Sequence, residues 1–235
     1  MGVNSLGDSL STRSLAVYYI PPAESELFRV STRIIGYNPR TGYVRPTKVN
    51  AGPSSAAHYG IHLTICDVLY FETDARLRSA CMRVSTIAAR FAPFDLELGE
   101  AVPDFPSPGA ISISVGDSSG SLHALHAELL SVVNRTASAS NYTLGLARAD
   151  RPQFTVVESD ELLRTYKAPY VLTRYQPHFT LFSGLSASVV LQAARRVQRC
   201  LDRRLHDMSV HVGEIAIMGY ERDHWVIDRE IRLTG

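Results

Sequence analysis

A seven-residue pattern occurs twice in this chain, as Tyr59-Gly60-Ile61-His62-Leu63-Thr64-Ile65 and as Tyr175-Gln176-Pro177-His178-Phe179-Thr180-Leu181. In each copy a His and a Thr stand two residues apart inside an apolar run. Strand side chains alternate between faces, so a strand at each site sends its imidazole and its hydroxyl out of the same face. Two such strands constrain the fold: their apolar faces belong in a core and their His-Thr faces converge on one cleft. Two imidazoles there can act as general base and general acid in one reaction, because an unperturbed imidazole titrates near neutral pH. Two hydroxyls beside them can hold the oxygens of an anion. The set suits cleavage of a phosphodiester without metal.

The rest of the chain is organised around the two copies. Residues 15–20 form a β-branched and aromatic run stopped by Pro21-Pro22, which reads as a strand. A short helix follows, with Leu27, Val30 and Ile34 at helical spacing and Gly36 at its end. Residues 37–57 scatter Pro, Gly and Asn and read as loop. After the first His-Thr strand, Leu77, Cys81, Val84, Ala88 and Phe91 recur every three or four residues and predict an amphipathic helix over 73–91. Strand-like runs at 94–98 and 110–115 come next, then a helix marked by Leu122, Leu125, Leu129 and Val132. Residues 138–169 lack a long periodic pattern apart from a short helix around 159–166 and read as an insertion or lid. Beyond the second His-Thr strand, Val190, Ala194, Val197, Leu201 and Leu205 predict a long helix, and the chain closes in two strands, 209–218 and 223–233. Each half thus runs from a His-Thr strand through an amphipathic helix to further strands. This favours an α+β fold of two pseudo-symmetric lobes, each built on an antiparallel sheet, with the histidines meeting in a central groove and helices on the outer faces. Residues 1–13 read as a flexible tail and 14–235 as a single two-lobed domain.

With 235 residues, 45% of them hydrophobic, the chain can bury a sizeable core. Its net charge of +1 encodes no global attraction to a nucleic-acid backbone, so a small phosphorylated substrate, a nucleotide or a short RNA end suits it better than a long duplex. Cys66, Cys81 and Cys200 are odd in number and show no CxxC spacing, which argues against a disulfide framework and a structural zinc site. A reducing, cytoplasmic setting is expected. No apolar run approaches a membrane span, and the first dozen residues carry no secretory h-region, so Asn134-Arg135-Thr136 and Asn141-Tyr142-Thr143 lose meaning as glycosylation acceptors. No cofactor, membrane contact or obligate protein partner is expected.

The paired His-x-Thr strands in a two-lobed α+β chain resemble the 2H phosphoesterase superfamily, which includes RNA 2′,3′-cyclic phosphodiesterases and RNA-ligase-like proteins. The likeness is specific in residues 15–42 (strand, Pro-Pro, helix, Arg40-Thr41-Gly42), 59–64 and 170–185, and it spans nearly the whole chain. Those segments look like the branch found with phosphonate-degradation genes (DUF1045-like, the putative phosphonate metabolism proteins). That branch tends to carry a basic residue where this chain has Cys66. The resemblance implies a LigT-like fold and catalytic roles for His62, Thr64, His178 and Thr180. It also implies hydrolysis of a cyclic phosphate, in a 2′,3′-cyclic nucleotide, an RNA end or a sugar. Two other readings stand beside it: a nucleotide or RNA-end binder without turnover, and RNA end joining.

Each further candidate has a plainer reading. A single buried His is usually a satisfied core residue; the matching Thr at both copies turns the balance toward a site. Tyr18, Tyr59 and Tyr175 can stack on a base or sugar, or simply pack. Arg174 and Gln176 share strand parity with His178 and are candidate groove residues, although Pro177 can shift the register. His58 shares parity with His62. His123 and His126, three apart on a helix, have metal-ligand spacing, but no Cys or carboxylate joins them and an exposed helical face is the stronger reading. Arg195, Arg196, Arg199, Arg203 and Arg204 read as a solvated outer face. In the lid, Arg148 and Arg151 are candidates to reach a substrate phosphate.

Overall fold

The computed structural model describes residues 13–44, 55–103, 109–146, 156–221 and 224–235. Strand β1 (Ser14–Tyr19) is wholly buried and leads to helix α1 (Glu26–Ile35). Ser25 caps that helix by accepting the Phe28 N–H at 3.1 Å. Gly36 ends it at φ 85°, a left-handed conformation that suits glycine, with its N–H on the Thr32 carbonyl. The segment read as loop after it contains a small hairpin, β2 (Tyr37–Asn38) and β3 (Gly42–Tyr43). Residues 45–54 lie outside the described set.

The first His-Thr run becomes β4 (Leu63–Tyr70), followed by α2 (Asp74–Ala88), β5 (Phe94–Pro103), β6 (Ile111–Gly116) and α3 (Ser121–Val132). Phe91, placed on the α2 stripe from spacing, lies past the helix end, and β5 runs five residues beyond the predicted strand because it keeps pairing with β6 up to Pro103. The presumed lid contributes β7 (Ala139–Ser140), α4 (Asn141–Leu146) and α5 (Val156–Tyr166); the second His-Thr run is β8 (His178–Phe182), and α6 (Ala187–Asp202) follows. The end of the chain forms three strands and not two: β9 (Ser209–Val212), β10 (Glu214–Glu221) and β11 (His224–Arg232). The predicted strand 209–218 breaks at Gly213 because the chain changes lobe there. β9 pairs with β5, whereas β10 pairs with β1 and β11.

All these pairings are antiparallel, in the order β11-β10-β1-β4-β8-β6-β5-β9, with β7 added beside β4. The curled sheet divides naturally at its centre: β11, β10, β1 and β4 make one lobe, and β8, β6, β5 and β9 the other. Between them, β4 and β8 share the pair Leu63 and Phe179. Helix α2 packs on β1 and β11, α6 on β5 and β6, and α1 behind β8. One hydrophobic cluster runs through both lobes, from Leu15 and Ile65 to Phe179, Val197 and Val212. This is the two-lobed α+β architecture expected from the duplicated motif.

Candidate active site

The site is built on the lobe junction. Leu63 and Phe179 are fully buried and face each other across β4 and β8. Carried one residue in each direction, that antiparallel register sets Thr64 across from His178 and His62 across from Thr180, all four on the opposite side from the core pair. The two copies of the motif are therefore brought together head to tail.

Both imidazoles are fixed in the same way. The Nδ1–H of His62 donates to the Gly60 carbonyl at 2.9 Å, and that of His178 to the Gln176 carbonyl at 2.8 Å. A carbonyl only accepts, so each neutral ring carries its proton on Nδ1 and its basic lone pair on Nε2. Gly60 makes the first contact possible: it sits at φ 73°, and a Cβ there would lie 2.6 Å from Pro39 Cδ. In the second copy Pro177 uses its carbonyl to accept the Val115 N–H, tying the approach of β8 to β6.

Aromatic rings position His62. Tyr18, opposite Thr64 in the ladder, stacks on it with centroids 4.2 Å apart, and Tyr59 leans on it at 5.6 Å while stacking on Trp225. Burial in this setting lowers the His62 pKa to about 4; the Gly60 bond opposes the shift and the nearby His178 adds to it. Ser112 Oγ lies 3.4 Å from Thr180 Oγ1. Tyr175 is almost wholly buried: its hydroxyl donates to the Thr64 carbonyl at 2.6 Å and its ring lies flat on His126. The structure thus gives Tyr18, Tyr59 and Tyr175 packing positions around the motifs.

Two parity arguments fail. Arg174 ends a 3₁₀ turn, Leu172–Arg174, and β8 starts only at His178, so neither Arg174 nor Gln176 is a strand neighbour of the histidine; both nevertheless line the same cavity as His178. His58 lies in the turn Ser55–His58, against His224, before β4 begins. The exposed-face reading of the helical pair holds for His123 and fails for His126, which is 4% exposed. His126 donates through Nδ1 to the Ile65 carbonyl at 2.7 Å and accepts the Leu172 N–H at Nε2. Among the described residues no group of three or more His, Cys, Asp or Glu is arranged to hold a metal ion. Arg195, Arg196 and Arg199 on α6 are exposed, as are Arg203 and Arg204, which lie just past the end of the helix and not on it. Arg148 and Arg151 lie outside the described residues; the ends of their segment are tied down by β7 against β4 and by Asn134 Nδ2 donating to the Tyr166 carbonyl.

Beside Thr64, His178 and Thr180 opens a cavity of about 240 Å³ with Tyr142, Tyr170 and Tyr175 among its walls. It also holds Asp67, which sequence reading missed. Period-two counting puts Asp67 on the face opposite Thr64. The register against β1 slips, however: Tyr18 pairs with Thr64 but Val17 with Cys66, so β4 carries an extra residue and Asp67 returns to the groove. Cys66 is turned inward by the same bulge, where its thiol donates to Asn134 Oδ1 at 2.9 Å and burial pushes its pKa well up.

The chain matches the 2′-5′ RNA ligase superfamily over residues 44–224. In fold it is similar to Escherichia coli LigT complexed with 3′-AMP, with a TM-score of 0.51 and 17% identity over 95% of this chain and 99% of that one. It is also similar to TT0787 of Thermus thermophilus, with a TM-score of 0.50 and 16% identity over 94% and 98% of the two chains. No match was found among curated protein sequences.

Proposed function

This chain belongs to the 2′-5′ RNA ligase superfamily, and we propose that it is a metal-independent phosphodiesterase that opens a small cyclic phosphate by two-histidine acid–base catalysis. The 2′,3′-cyclic phosphate of a nucleotide or RNA end, or that of a sugar, is the substrate class. The observation that carries the proposal is the matched anchoring of the two imidazoles, each held through Nδ1 by the carbonyl two residues before it. Binding alone needs one good anion clamp and no such pair of oriented, ionisable nitrogens. Burial that keeps His62 neutral suits it to take the proton of an attacking water through Nε2. His178, as imidazolium, then gives its Nε2 proton to the leaving alkoxide. The hydroxyls of Thr64 and Thr180 donate to the non-bridging oxygens, whose charge grows in the transition state.

The catalytic set needs nothing beyond these four side chains. Kinship with the phosphonate-associated branch and a cytoplasmic location are part of the same proposal. Among the described residues no helix is long and apolar enough to cross a membrane. The deciding experiment incubates the protein with a panel of 2′,3′-cyclic nucleotides, cyclic-phosphate RNA ends and sugar cyclic phosphates, with and without chelator, and resolves the products. Ring-opened monoesters formed equally in chelator are expected. Full loss of activity in chelator, restored by a divalent metal, overturns the mechanism, and ligated products in place of monoesters turn the assignment to end joining.

A further inference from the structure

The four motif groups are arranged with pseudo-two-fold symmetry, and a symmetric clamp cannot tell one side of a phosphodiester from the other. Selectivity has to come from groups that break the symmetry. The position three residues after each motif Thr does so: it is Asp67 in the first copy and Ser183 in the second, and both line the cavity next to His178 and Thr180. Ser183 Oγ accepts the Ala56 N–H at 3.2 Å. Asp67 is different in kind, a carboxyl carried into the cavity by the β4 bulge.

A carboxylate has about four lone-pair sites. The Val68 N–H occupies one on Oδ1 at 2.6 Å, and the Tyr142 side chain hydrogen-bonds a second. About two remain, on a side chain that lines a space of about 240 Å³ together with Tyr142, Tyr170 and Tyr175. That volume is smaller than the roughly 300–1,000 Å³ of sites for drug-sized ligands, so it suits one base or one sugar and not a second nucleotide. Resting on the phosphodiesterase reading, we propose that Asp67 is the specificity-determining residue of the site, accepting two adjacent hydrogen bonds from a neutral ring on the substrate. The N1–H and N2–H₂ edge of guanine has that chemistry, and so does the vicinal diol of a sugar. A 2′,3′-cyclic phosphate uses up the ribose diol, which favours the base.

A site built around a donor rejects the analogue that lacks it, because the acceptor is then left buried and unpaired. The test is equilibrium binding by calorimetry, which needs no turnover, on the wild type and Asp67→Asn. Guanosine 3′-monophosphate is compared with inosine 3′-monophosphate, which lacks the N2 amine, and ribose 5-phosphate with 2-deoxyribose 5-phosphate, which lacks the diol. The wild type should favour the donor-rich member of one pair about tenfold or more, and Asp67→Asn should bring that ratio below about threefold. A preference in the first pair identifies a base and in the second a sugar. No preference in either pair, or one that survives in Asp67→Asn, overturns the proposal. Tyr142→Phe, which removes a donor to Asp67, gives the same readout if Asp67→Asn does not fold. Turnover of the cyclic-phosphate panel is measured separately: discrimination without turnover sinks the phosphodiesterase reading and leaves Asp67 in its role, whereas turnover without discrimination does the reverse.

Discussion

Leu63 stands opposite Phe179 at the seam between the lobes, both side chains fully buried, and the histidines immediately before them are held in register by that pair. The seam is narrow, so packing there sets the distance between the two motif imidazoles. Phe179→Leu should cost about 1–2 kcal/mol of stability, as a core change that loses volume. Val84→Ala, on the buried face of α2 and away from the groove, should cost about the same. If the seam positions the site, Phe179→Leu lowers turnover more than tenfold, because misplacement of about 1 Å costs about 10²-fold, while Val84→Ala leaves turnover near wild type. Equal activity in the two variants, with stabilities matched by denaturant titration, contradicts this role.

In the proposed mechanism, replacement of either histidine removes the acid or the base. His62→Ala and His178→Ala should each lower turnover by about 10²–10⁴-fold with the fold retained, and the double variant should be little worse than the poorer single one, since the two act as a unit. Thr64→Val and Thr180→Val should each cost about 10²-fold or more, mainly in turnover and less in KM. Near-normal steady-state kinetics in either folded histidine variant removes the two-histidine mechanism.

The duplicated motif made the junction and its four side chains legible from sequence, because a period of two decides which residues share a face. The same counting passed over Asp67 and put Arg174 and His58 on strands they do not belong to. A bulge in β4, a 3₁₀ turn before β8 and a turn ahead of β4 each reset the period, and the propensities of single residues carry no trace of such resets. The split of 209–218 at Gly213 has the same origin: its two halves pair in different lobes, and only long-range pairing reveals that. His126 looked exposed on a short helical spacing, yet its burial depends on β4 and the turn at Leu172, far away in the chain.

His126 ties α3, β4 and the turn before β8 together, with both ring nitrogens bonded and one face flat on Tyr175 at 3.8 Å between centroids. His126→Leu keeps the bulk but leaves the Ile65 carbonyl and the Leu172 N–H without their partner. A loss of about 1–3 kcal/mol for each buried group left unpaired is expected, so the variant should unfold at clearly lower denaturant. KM should rise as well, because Tyr175, with its hydroxyl on the Thr64 carbonyl, forms a wall of the cavity. Unchanged stability would mean that water replaces the ring, and the tie would then be dispensable.

Burial lowers the pKa of both His62 and His126 to about 4, against about 6.5 in an unfolded chain. As pH falls, the unfolded chain takes up these protons first. Stability from the two groups is therefore full above about pH 6.5 and is lost progressively as pH falls toward about 4, by up to about 3 kcal/mol for each. Denaturant titrations between pH 7.5 and 4 should show this decline, and His126→Asn, which cannot ionise, should flatten part of it. A decline of the same size in that variant assigns the loss to other groups. The catalytic acid limb follows the same logic with a different reach: His62 must be neutral to accept a proton, so its low pKa should let the activity of still-folded protein persist well below pH 6. An acid limb that fell away near the ordinary imidazole pKa, while far-ultraviolet circular dichroism reported an intact fold, would take the base role from His62.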